Sequence, residues 1–117
     1  MKFSEKALRV KYMRLLEKFL KSCENILKLE NFNYILFEKK ITKIYTQIQD
    51  LKDLRLDSTY LNSLKSFTDL VIRVLNNENM SKEEKRILLL KEVNQICKQK
   101  KGSTYKREKH KNEKYDD

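Results

Sequence analysis

The chain has 117 residues, 39% of them apolar, with 27 Lys and Arg against 17 Asp and Glu for a formal net charge of +10. That size and apolar fraction suit one compact domain, and the longest apolar run, Ile87 to Leu90, is far short of the ~20 residues that span a bilayer. With one glycine, no proline and one histidine, the chain has neither a phosphate-cradling glycine loop nor a general base on its periodic segments. It is expected to be no enzyme and to hold no cofactor or metal.

The start, Met1-Lys2-Phe3-Ser4-Glu5-Lys6, has no uninterrupted apolar stretch and no small-residue cleavage site, so a cytoplasmic, intracellular location is expected. Cys23 and Cys97 lack Cys-x-x-Cys spacing and fall on apolar stripes, where a free Cys behaves as a small hydrophobe. Hydrophobic periodicity predicts an all-α fold, a small antiparallel four-helix bundle with helices near 4–30, 33–55, 58–77 and 81–100. The bundle occupies residues 1–101, and residues 102–117 form a disordered, charged tail.

The first helix starts at Ser4, with Phe3 and Leu8 placed as a hydrophobic staple around that cap. At about 100° per residue, Tyr12, Leu15, Leu16, Phe19, Leu20, Cys23, Ile26 and Leu27 share a broad apolar arc, wide enough for two neighbours. On the other flank Lys11, Arg14, Lys18, Lys21 and Lys28 form a basic column interrupted only by Asn25. Glu17 and Glu24, each four residues before a column lysine, are spaced to pair with Lys21 and Lys28, whereas Arg14 and Lys18 repel each other.

The second helix starts at Asn33 between Phe32 and Phe37 and carries a narrow seam, Tyr34, Phe37, Ile41, Ile44, Ile48 and Leu51. One facing helix would cover it, so Phe37, Ile41, Ile44, Ile48 and Leu51 are a candidate protein interface for a helical partner or a second copy. The third starts at Asp57 between Leu56 and Leu61 and offers only Lys65 and Arg73 as cations. That is too few for a recognition helix in a DNA groove. The fourth starts at Ser81, spaced to Glu84 as a capping box, buries Leu89, Leu90, Val93, Ile96 and Cys97, and ends in Lys98, Lys100 and Lys101.

After Lys101 the tail has no aliphatic residue and cannot bury enough surface to order itself. Its basic residues with Tyr105 and Tyr115 have the make-up of an arm that touches phosphates and stacks on unpaired bases, while His110 has no ligand-spaced neighbours. Residues 1–30 and 81–101 together carry +8 of the net +10, so an anion-binding surface is expected on the first and last helices. Two functions follow from different uses of these faces. In one, Lys11, Arg14, Lys18, Lys21, Lys28, Lys98, Lys100 and Lys101 hold a DNA or RNA backbone. Neutralising five phosphates of a duplex would give a slope of log affinity on log salt of roughly −4.5. In the other, the chain is an adaptor or homodimer joined through the second-helix seam, and the basic column is only a solvated face. The first use is reinforced by the C-terminal lysines only if the first and last helices touch.

Overall fold

A computed structural model describes residues 5–102, with side chains through Gln99, and contains four helices: α1 (Glu5–Leu27), α2 (Tyr34–Gln49), α3 (Thr59–Leu75) and α4 (Lys82–Gly102). Local capping starts three of them. The Asn33 side chain accepts from Leu36 N at 3.1 Å, and Phe32 stacks on Phe37 with ring centroids 5.8 Å apart, so the expected cap and staple both form. At the start of α4, Ser81 N donates to Glu84 Oε1 at 3.0 Å while Glu84 N donates to Ser81 Oγ at 3.1 Å. These two bonds complete the capping box. The bond from Ser81 N, and then the Ser81 hydroxyl, stabilise the Glu84 carboxylate and lower its pKa. The third cap is one residue later than expected: Ser58, not Asp57, accepts from Leu61 N at 3.3 Å, and Leu56 and Leu61 are both buried. The cap expected at Ser4, with Phe3, lies outside the described residues.

Two helices stop short of their periodic patterns, and side chains from other helices bond the backbone where they do. The guanidinium of Arg86 on α4 donates to Leu27 O at 3.0 Å and Leu29 O at 2.7 Å, where α1 ends at Leu27 instead of near 30. After Gln49 the chain tightens into three-residue turns, Leu51 N to Ile48 O and Leu54 N to Leu51 O. Lys65 Nζ on Lys52 O at 2.9 Å and Asn62 Nδ2 on Leu56 O at 2.8 Å, both from α3, satisfy that connection. The second helix therefore does not continue to 55.

The helices pair as two antiparallel hairpins, α1 with α2 and α3 with α4. Lys85 reaches Leu75 near one end of the second hairpin and Gln99 reaches Ser63 near the other. Packing between the hairpins is oblique. Phe19 meets Phe67 edge-on at 6.0 Å, while Tyr12 lies beneath Lys65 and Glu17 meets Tyr60. A parallel or antiparallel register cannot satisfy all three contacts. α1 packs against each of the other helices, as its wide apolar arc requires. The shared core includes Tyr12, Leu16, Phe19, Phe37, Ile41, Leu64, Val71 and Val93, all fully buried. Truncating Phe19 at this crossing would cost on the order of 3–5 kcal/mol. Among the described residues no helix is long and apolar enough to cross a membrane.

Candidate anion-binding face

On α1 the side chains of Lys11, Arg14, Lys18, Lys21 and Lys28 are all exposed, opposite buried Tyr12, Leu16, Phe19 and Cys23. Among the described residues the ion pairs are Arg9 with Glu5 at 2.8 Å and Lys28 with Glu24 at 3.2 Å. Lys28 is therefore partly neutralised, as its spacing suggested. The carboxylate of Glu17 instead accepts from Tyr60 Oη at 3.4–3.5 Å, drawn toward α3, and Lys21 is in neither ion pair. What α1 presents is a run of four exposed cations, Lys11, Arg14, Lys18 and Lys21, followed by a paired fifth.

The first and last helices do touch. Cys97 Sγ donates to Glu24 Oε2 at 3.7 Å, and Cys97 lines one shallow groove with Arg14, Lys18 and Lys21. Val10, Met13 and Leu20 give that groove an apolar floor, and Glu17 and Glu24 also line it. Along α4, Arg86 and Cys97 are eleven residues and about 16 Å apart, yet their partners on α1 lie within a few residues of each other. α4 thus crosses the C-terminal part of α1, and exposed Lys98 follows the crossing point. Lys100 and Lys101 belong to the last turn of α4, and their side chains lie outside the described ones.

Two cations counted toward the charge of the last helix are used inside the fold. Lys85 is only 8% exposed; its Nζ donates to Leu75 O at 2.8 Å and to Tyr34 Oη at 3.2 Å, and lies 5.3 Å from the centre of the Tyr34 ring. Arg86, besides its bonds to the end of α1, sits 4.9 Å over the Phe32 ring. Both place positive charge at the carbonyl ends of neighbouring helices, where the helix dipole favours it. A sequence signal existed for Lys85: it lies on the same stripe as Leu89, Val93 and Ile96 at spacings of four, four and three.

The candidate interface on α2 lies inward. Phe37, Ile41, Ile44 and Ile48 are buried in the chain's own core, and Leu51 is half-buried against it. A partner helix on this seam would have to displace α1, which packs most extensively on α2.

One polar feature had no sequence signal. The Tyr12 hydroxyl is buried without a hydrogen-bond partner beside a cavity of about 170 Å³, whose lining includes Asp53, Lys65 and Asp69. Burial first, then the charges of Asp69 and Asp53 and the proximity of Tyr45, push its pKa up to about 12, so the phenol stays neutral. Nearby, Tyr45 Oη donates to Asp69 Oδ1 at 2.8 Å, and its pKa is raised, chiefly by burial. Burial also pushes the Cys23 thiol well above its usual range, which makes it a poor nucleophile. Among the described residues no group of three or more His, Cys, Asp or Glu is placed to hold a metal ion.

Fold and face together define a small all-α protein with a cationic helix flank. No family model matches the chain, nor does any curated protein or solved structure.

Proposed function

We propose that this protein is a non-enzymatic accessory that associates with nucleic acid through phosphate-backbone contacts from the exposed flank of α1. The observation that carries this reading is selective exposure. Lys11, Arg14, Lys18 and Lys21 are exposed and stand outside both ion pairs, whereas Lys28 is paired and Lys85 and Arg86 are committed to helix ends. Lys98, Lys100 and Lys101 at the end of α4 are the second contributors, through the contact of that helix with α1.

Four available cations, in place of five, set the expected salt dependence. For these four alone, log affinity for a DNA duplex should fall with log salt at a slope of roughly −3.6, or roughly 150-fold between 50 and 200 mM, and more steeply for each α4 lysine that also meets a phosphate. Replacing Lys11, Arg14, Lys18 and Lys21 together by Gln should abolish binding to random duplexes in fluorescence anisotropy while circular dichroism keeps its helical signal. An affinity unchanged by the four substitutions refutes the proposal.

A further inference from the structure

Resting on that phosphate-binding reading, we infer that the flank of α1 selects double-stranded over single-stranded nucleic acid, without regard to sequence. The first ground is the absence of a stacking surface. Proteins that hold single strands do so largely by stacking bases on aromatic rings, roughly 1–3 kcal/mol per base. Among the described residues no aromatic ring is exposed, and the half-buried ones are engaged: Phe32 under Arg86, Tyr34 under Lys82 and Lys85, Tyr45 on Asp69.

The second ground is geometric. The four cations stand on a helix whose opposite face is locked into the core, so their backbone positions form a fixed line. From Lys11 to Lys21 that line is about 15 Å long. Over the same length a duplex presents roughly nine phosphates and one strand roughly four, and each contact with duplex contributes about 0.9 to the salt slope against about 0.7 for a single strand. A basic line that cannot stack bases discriminates by charge density alone, and charge density favours the duplex.

The test uses the full chain carrying Tyr105→Ala and Tyr115→Ala, so that the tail tyrosines cannot supply stacking. Anisotropy is read between 50 and 200 mM salt against a 20-base-pair DNA duplex, the matching RNA duplex and one DNA strand, with polyglutamate as competitor. Expected for the four α1 cations are slopes near −3.6 for duplex and near −2.8 for the strand; with the two affinities equal at 1 M salt, duplex binding is roughly sixfold tighter at 0.1 M. DNA and RNA duplexes should behave alike. A single strand that binds as tightly as duplex, with both lost on replacing the four cations by Gln, overturns the duplex preference and leaves the phosphate reading standing. Polyglutamate competing as well per charge as duplex overturns both, in favour of an acidic protein partner. Binding indifferent to the four substitutions overturns both as well.

Discussion

Lys18 and Lys85 are the same residue type on helices that touch, yet one stands in solvent on α1 and the other is buried on three partners: Leu75 O, the Tyr34 hydroxyl and the Tyr34 ring. The difference lies in what each helix end needs. The carbonyl ends of α3 and α1 face the start of α4, so cations there satisfy backbone acceptors left open by helix termination: Lys85 joins the Tyr34 hydroxyl on Leu75 O, and Arg86 holds Leu27 O and Leu29 O. The middle of α1 has no such demand, because its own helical bonds satisfy its backbone. A formal charge of +10 therefore divides into cations that hold the fold together and cations free to meet an anion.

The sharpest way to break this comparison is charge reversal at the two lysines. Lys85→Glu sets a buried carboxylate against the Leu75 carbonyl and should cost about 3–5 kcal/mol in urea unfolding. Lys18→Glu should stay within about 0.5 kcal/mol. Equal losses would mean that α4 does not use its first turn as described.

A smaller effect comes from Tyr12, the polar group that packing buries without giving it a partner. Its phenol titrates near 10 when unfolded and near 12 when folded, so the native state holds the proton longer. Wild-type stability is therefore unaffected by this group below pH 10 and falls as pH rises from 10 to 12, by roughly 2–3 kcal/mol in all. Tyr12→Phe removes this pH-dependent loss. The variant should match or exceed the wild type at pH 8, since no hydrogen bond is lost, and its advantage should grow through pH 10–12 in parallel denaturant titrations. A constant difference would place the hydroxyl in contact with solvent.

The smallest effect is local. Ser81→Ala removes one half of the capping box at the start of α4 and should cost about 1 kcal/mol. Because the same turn positions Lys85 and Arg86, the loss should appear in thermal unfolding while duplex binding by α1 remains unchanged. A binding loss of tenfold or more in this variant would show that the two sets of cations are not independent.

Much of this was legible in the chain before any coordinates. The Asn33 cap with its Phe32 and Phe37 staple, the Ser81–Glu84 box and the exposed column of α1 all follow from residues three to five positions apart, where local helical geometry fixes who can meet. The shift of the third cap from Asp57 to Ser58 is a one-residue choice between two good caps, decided where Leu56 and Leu61 enter the core. The early ends of α1 and α2 were not legible, because Arg86 reaches the end of α1, and Lys65 and Asn62 the connection after α2, from another helix. The seam of α2 reads equally well as an interface or as a core, and only the position of α1 distinguishes the two.

The sequence by itself determined four helices, the starting points of the second and fourth and the basic flank of the first, since each depends on short-range spacing along one helix. Tertiary structure alone decided which cations are available. Burial of Lys85, capture of Arg86 by the end of α1 and the turn of Glu17 toward Tyr60 each bring together residues 10 to 59 positions apart in sequence. The stripe of α4 marks Lys85 as inward-facing, but no local pattern encodes which groups these side chains meet; that is set when two hairpins cross and bring helix ends against other helices.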